Sequence, residues 1–383
     1  MLNAYRGVLN DRVAIAPEFW YYYPAKLLGV DMIEFQRVPF HQALKKTFEA
    51  FGCEGWGAAF FSAPARDVEG TNRQTWINSD ELETQHTTRT PFGTLTSRSR
   101  ISRSEPGWCV ERPIKDLGAD LAAWEHLTFG DVDAMDLSHA IRAWNEVGDA
   151  YLLEAWLGVP FFDVYATSRD GGLETAVVEF IEHPETFEPI QRRHIDHMTR
   201  LARRVCRDTP FESLVIGCSW SCNSLIGPHM WRQWDKPVIQ AVVDEVHRCG
   251  KLLHIHLHGK CIETVADLAE IGIDCVCPFE RPPGGDVRGL GDLEAVARAL
   301  DGRVTMNGNV HTVETLIRGA EADVRREVRE IMEAFSGNAR LIVGTGDQVG
   351  RETPEGNLHA MIDEANRLSP AWRAAHSSSK SNP

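Results

Sequence analysis

The amino-acid sequence predicts an α/β fold built on a parallel sheet, and two observations carry that expectation. In the second half of the 383-residue chain, short apolar runs alternate five times with amphipathic stretches of helical length. Five strand–helix units in series mean parallel neighbours, because each strand has to return over a crossover helix. The second observation is a polar, Thr-rich, alternating stretch at residues 65–112, broken at Pro91-Phe92-Gly93 and Glu105-Pro106-Gly107. It reads as a β-hairpin excursion rather than another βα unit. A (β/α)8 TIM barrel and a doubly wound sheet both fit this rhythm. No glycine-rich GxGxxG turn follows an early strand, which weakens the dinucleotide-binding form.

In chain order, Val13-Ala14-Ile15-Ala16 and residues 56–61 are the early strands, with a helix at 41–51 between them. After the excursion, the apolar run Ser213–Cys218 is a strand, and residues 228–249 carry apolar positions at helical spacing. Leu252–Leu257 is the next strand, with a helix at 261–271. A strand at 273–277 leads to a helix at 292–300, and a strand at 304–307 leads to a long charged helix at 314–335. A strand at 341–343 and a closing helix at 356–368 complete the series. Residues 377–383 are polar and expected to be a disordered tail, leaving residues 1–376 as one unit.

Composition narrows the partners. A formal net charge of −15 argues against a nucleic-acid surface, which needs a basic stripe. No apolar run approaches the roughly 18 residues of a membrane span, and the first residues lack the build of a secretory signal. Nine scattered cysteines form no small-domain framework and indicate a reducing compartment, so a cytoplasmic location is expected.

Polar residues follow each late strand. His256 and His258 close one, Glu280 follows the next, Asn307, Asn309 and His311 the next, and Asp347 the last. In a barrel these strand ends converge on one mouth, where active sites sit. Residues i and i+2 of a strand share a face, so His256 and His258 can point into one site. Two imidazoles with a carboxylate are a common ligand set for zinc or another divalent metal. The competing reading is a pair of core histidines satisfied by each other and by carbonyls. His254 lies deeper on the same face, as core or as support for a ligand. Cys275-Val276-Cys277 and Cys218-Ser219-Trp220-Ser221-Cys222 lack the spacing of structural zinc sites, so buried packing is the better reading for most of these thiols. Cys222 and Cys261 sit just past strand ends. The run Phe19-Trp20-Tyr21-Tyr22-Tyr23 packs a core or forms a flat wall for an aromatic ligand.

These segments resemble the uroporphyrinogen decarboxylase family, which includes cobamide-dependent methyltransferases. The resemblance runs from about Asp11 to Asn366. Its most telling pieces are Lys251-Leu252-Leu253-His254-Ile255-His256-Leu257-His258-Gly259, Gly272-Ile273-Asp274, Gly308-Asn309-Val310-His311-Thr312 and Thr345-Gly346-Asp347. The resemblance implies the (β/α)8 TIM barrel with its excursion. Decarboxylases of the family carry an arginine-rich stretch after the first strand, where this chain has Phe19 to Tyr23 and no arginine. Thiol-alkylating methyltransferases of the family hold zinc through an HxC pair and a later cysteine, where this chain has His256, His258 and Asp347.

The resemblance therefore implies a methyltransferase of the demethylating branch, moving a methyl group between a small methylated or methoxylated substrate and a corrinoid on a partner protein. His256, His258 and Asp347 would hold the metal, with Glu280 as a fourth ligand or general acid, and Asn309 and His311 orienting substrate. Trp20, Tyr22, Ser219 and Cys222 are the expected substrate contacts. A decarboxylase acting on a small or aromatic carboxylate and a non-catalytic ligand-binding barrel are the alternatives.

Overall fold

The computed structural model describes residues 1–379. Its twelve strands are β1 (Ala14–Ala16), β2 (Trp56–Ala59), β3 (Glu69–Trp76), β4 (Glu81–Thr90), β5 (Gly93–Ser102), β6 (Trp108–Glu111), β7 (Leu152–Gly158), β8 (Ser213–Cys218), β9 (Leu252–Leu257), β10 (Cys275–Pro278), β11 (Thr305–Val310) and β12 (Leu341–Thr345). Eight form one sheet in the order β1-β12-β11-β10-β9-β8-β7-β2, with every ladder parallel. The register sets His256 opposite Gly217 on one side and Cys277 on the other. Strands β3 to β6 form a separate antiparallel sheet.

The parallel sheet is curled, with β1 and β2 as the outermost strands of its ladder. Side chains join these two edges. Glu54, just before β2, accepts from the Ile15 N–H of β1 at 3.1 Å and pairs with Arg12 at 2.6 Å. One face of the sheet meets the helices in the main hydrophobic cluster. The other holds two small clusters, one around Tyr5, Ala14, Cys275 and Ile342, the other around Trp56, Val215 and Cys277. The alternation along β10 shows the pleat directly, since Cys275 and Cys277 lie in the small clusters and Val276 in the main one. The short helix Leu2–Tyr5 closes the N-terminal end of this interior, where Thr305 Oγ1 donates to the Ala4 carbonyl at 2.7 Å. No helix among the described residues is long and apolar enough to cross a membrane.

Five features depart from the sequence expectations. Strand β7 was not foreseen, because its residues (LLEAWLG) include no β-branched side chain and read as well for a helix. The helix expected at 228–249 is two, Asn223–Trp234 and Lys236–Arg248, parted at the buried Asp235 just before Pro237. The helix expected at 314–335 is a π-helical turn, Thr312–Ile317, and a helix, Glu321–Ala334. Gly319 separates them with its Cα so close to the Thr315 carbonyl that a Cβ would sit 2.7 Å from that oxygen. The excursion is a four-stranded meander rather than a hairpin, laced by cross-strand pairs such as Arg98–Glu111 at 2.6 Å and Arg100–Glu83 at 2.8 Å. The closing helix continues to Ser379, and residues 380–383 of the expected tail lie outside the described residues.

Two buried carboxyls fix the loop after β8. Asp163 Oδ2 accepts from the N–H groups of Trp220 and Ser221 at 3.0 and 3.2 Å. Asp235 accepts from the Phe162 N–H at 2.8 Å and from Ser221 Oγ at 2.5 Å. Burial pushes the Asp235 carboxyl up to about 7, against the opposing pull of these donors. A carboxyl raised in the folded state contributes stability that is full below its unfolded pKa near 4 and is lost as pH rises through about 7. Asp235→Asn keeps an acceptor for Phe162 without an ionisation. Between pH 5 and 8 the unfolding free energy of wild type should therefore fall relative to this variant, by about 2.5 kcal/mol, in urea titrations at each pH.

Candidate functional site

The C-terminal ends of β1, β9, β10 and β12 bring together a group of metal-competent side chains. Donor atoms of His258, Glu280 and Asp347 lie within 4.8 Å of one another, and so do those of Glu18, His256 and Cys277. The two triads share a wall, since the rings of His256 and His258 sit edge to face with centroids 4.4 Å apart. The expected convergence of His256, His258, Glu280 and Asp347 thus takes a modified form. His258, Glu280 and Asp347 meet, while His256 turns toward Glu18 and Cys277. Around a zinc-sized ion, ligand distances of about 2.0–2.3 Å place donors roughly 3–4 Å apart, a spacing compatible with the limit within which each triad falls.

The charge balance of the group invites a cation. Burial raises Glu18 to about 8, and the neighbouring Asp347 adds to the shift. Burial also raises Asp347, with Glu280 adding to it. His258 draws both back down. Burial by itself would lower His258, but the hydrogen bond it donates to Glu280 and the charges of Asp347, Glu280 and Glu18 carry it to about 9. Burial pushes His256 well below the usual histidine range, so its 3.7 Å approach to Glu18 is no ion pair. Three carboxyls crowd one imidazolium, and a divalent cation among them would offset that excess of acid.

Hydrogen bonds behind the rings hold each imidazole by its Nδ1. His258 Nδ1 is 2.6 Å from Glu280 Oε1, which also accepts from the Gly259 N–H at 3.3 Å. His256 Nδ1 is 3.0 Å from Cys277 Sγ. Histidines that ligate metals are held in this way, one nitrogen tied back and the other free.

The remaining expected residues fall in several places. Trp20 donates from Nε1 to Glu18 and lies 6.4 Å from His256 between ring centroids, so it borders the group. Ser219 is exposed on the loop after β8. Cys222 and Cys261 are buried in the main hydrophobic cluster. Tyr22 donates to Glu105 at 2.7 Å and lies under Arg351, tying the excursion to the rim. Asn309 is fully buried, with Nδ2 donating to the Phe279 carbonyl at 2.9 Å and Oδ1 unpaired. His311 follows a strand end but turns away. Its Nδ1 accepts from the N–H groups of Val313 and Glu314, capping the π-helical turn, and Nε2 donates to the Pro282 carbonyl at 2.8 Å. Both nitrogens are occupied, so the ring serves the loop and has none left for a substrate.

Sequence reasoning passed over Glu18 and Cys277. Glu18 stands two residues beyond β1, and the strand-end argument applied to the late strands would have found it there. Cys277 reads as an ordinary core thiol, and only its register opposite His256 marks it out.

The fold and site define an α/β protein on a curled parallel sheet, with an acid–imidazole group at the C-terminal ends of its strands. The sequence model of the uroporphyrinogen decarboxylase (URO-D) family matches residues 142–368, more than half of the chain, and the protein belongs to that family. Among solved structures, a methyltransferase from Methanosarcina mazei shares the fold at 13% identity and a TM-score of 0.63, over 96% of this chain and 97% of that one. A Bacteroidetes-affiliated GH5 cellulase aligns at 13% identity and a TM-score of 0.35, over 64% and 78% of the two chains. A type I 3-dehydroquinate dehydratase from Clostridium difficile aligns at 11% identity and a TM-score of 0.29, over 63% and 79%. No curated protein matches the sequence.

The Glu280–His258 pair gives the site a measurable signature. Glu280→Gln removes both the hydrogen-bonded charge and the largest upward influence on His258, so the pKa of that ring should drop from about 9 toward the ordinary histidine value. Proton NMR titration of the imidazole resonances in metal-free protein reads the shift, and an unmoved His258 would contradict the pairing.

Proposed function

We propose that the protein is a metal-dependent methyltransferase, moving a methyl group between a small methylated or methoxylated substrate and a corrinoid on a partner protein. The observation that carries this reading is the meeting of paired histidines and acids at the ends of β9, β10 and β12, in a family member whose fold is shared by a methyltransferase. In the same reading the curled sheet is a closed (β/α)8 barrel, supported by the Glu54 bridge between its edges. The nine cysteines, none of them in a disulfide, support a cytoplasmic location.

His256, His258 and Asp347 would hold the cation. It would supply Lewis-acid activation of the oxygen or nitrogen that the methyl group leaves. The protein's own residues do the rest. Glu280 orients His258 from behind, because its Oε1 is already committed to His258 Nδ1 and to the Gly259 N–H. That geometry favours support of a ligand over proton donation. Trp20 and the rings around it exclude water from one side of the site and offer a flat apolar surface to a substrate. The corrinoid would supply the nucleophile that accepts the methyl group, and the bonding pair would stay on the heteroatom, whose charge the cation held by His256, His258 and Asp347 would offset.

The test combines elemental analysis with transfer of methyl from a methoxylated aromatic to a reduced corrinoid. Wild type should carry stoichiometric metal. His258→Ala should lose metal and activity while keeping its unfolding midpoint, because residues at this end of the strands serve function more than stability. Glu280→Gln should weaken metal binding by about 10- to 100-fold and lower turnover equally for good and poor leaving groups. Wild-type protein that holds no metal and gains no activity when metal is supplied would end the proposal.

A further inference from the structure

Beneath the two triads a file of polar groups runs down the interior from His256 to the far end of the sheet. Ser213 Oγ donates to Glu154 Oε1 at 2.5 Å, and Glu154 Oε2 is 2.8 Å from His254 Nδ1. His254 Nε2 is 3.0 Å from Cys277 Sγ, which is 3.0 Å from His256 Nδ1. Ser213, Glu154 and His254 are completely buried, and Cys277 is 1% exposed. The rings are held in place as well, with Trp56 edge-on to His254 at 4.6 Å and Tyr5 against it at 5.7 Å.

We infer that Glu154 is a positioning residue for the metal centre, fixing through His254 and Cys277 which nitrogen of His256 is left bare. A carboxylate only accepts, so His254 carries its proton on Nδ1. Its Nε2 then accepts the thiol proton of Cys277, and the sulfur accepts from His256 Nδ1–H. Each bond dictates the direction of the next, and the file ends with the His256 Nε2 lone pair directed toward the site. A thiol and a neutral imidazole each carry one proton, so each link has one proton to place. Run the other way, the file would leave a proton on His256 Nε2. The nearest carboxylate oxygen, Glu18 Oε1 at 3.7 Å, is beyond hydrogen-bond reach of it. That direction strands a buried donor and blocks the nitrogen that a metal needs. The link to metal binding rests on the function proposed above, whereas the direction of the file does not.

Long-range proton–nitrogen NMR correlations of the imidazole rings in metal-free protein, paired with zinc titration, test this. Wild type should show His254 and His256 both protonated on Nδ1. Glu154→Gln offers its own N–H to His254, so both rings should switch and zinc affinity should fall by about 10- to 100-fold. Cys277→Val cuts the file in the middle, so His256 should lose its preference while His254 keeps the Nδ1 proton. That one-sided response is what a merely structural role would not give, and it remains readable if the Glu154 variant fails to fold. A wild-type His256 protonated on Nε2, or a His256 indifferent to either substitution, would overturn the inference. Intact tautomers without methyl transfer would count against the proposed function and leave Glu154 in its role.

Discussion

The pleat of β9 is the constraint from which the interior follows. Alternate side chains of a strand share a face, so His254 and His256 face inward one above the other, and His258 emerges just past the strand end. An imidazole in a dry interior needs a partner for each polar nitrogen, or its burial costs free energy. Other strands of the sheet supply each ring with a partner at matching depth. Glu154 on β7 meets His254, Cys277 on β10 meets His256, and Glu280 beyond β10 meets His258. The parallel register makes this matching automatic, since Cys277 stands opposite His256 in the ladder. Aliphatic side chains in these places would pack as well, but they would leave three rings unsatisfied.

The segments around the sheet hold this arrangement at both ends. At the N-terminal end, the helix Leu2–Tyr5 inserts Tyr5 beneath His254 and is tied down by Thr305 and Arg340. At the other end, Arg351 beyond β12 pairs with Glu105 of the excursion at 2.8 Å, and Tyr22 beyond β1 joins the same group. The excursion is thereby fastened to two of the loops that carry site residues. Its strand residues are exposed or half-buried, and only Leu95, Ile101 and Ser102 among them are buried. Its stability comes from its ladders and from this fastening more than from a core of its own.

What the sequence revealed follows the same physics. The late strands were legible because their apolar, β-branched runs face helices on one side and interior on the other, as in Leu252–Leu257. Strand β7 was not, because Glu154 and Trp156 face an interior that is itself polar and aromatic, which no pattern of one-sided burial anticipates. His256, His258, Glu280 and Asp347 could be read from position alone. Cys277 and Glu154 could not, since their importance lies in a partner on another strand. His311 shows the opposite failure. It occupies the right position after β11, but the backbone donors of the following turn claim its ring first.

The two halves of the site differ in character, and the strand order explains why. The acids and imidazoles come from the ends of β1, β12, β10 and β9, which are contiguous around the sheet with β11. The remaining stretch, β8-β7-β2, contributes Gly217, Trp156, Trp56 and Phe60. A Cβ at Gly217 would collide with the Trp156 ring, so the absence of a side chain on β8 is what lets that ring lie across the interior, 5.6 Å from Phe60. Trp20 stands beside both edge strands, following β1 and meeting Trp56 of β2, where the two kinds of wall meet. Its N–H reaches Glu18 on the acidic side, and its ring meets Trp56 edge-on at 5.3 Å and stacks on Phe40 at 5.5 Å on the other. Beyond Phe40, Tyr21 and Phe60 line a mostly apolar cavity of about 320 Å³. A ligand bridging these walls has to be polar at one end and flat or apolar at the other. The division is built into the order of the strands, so a single substitution at the mouth can alter one wall while leaving the other in place.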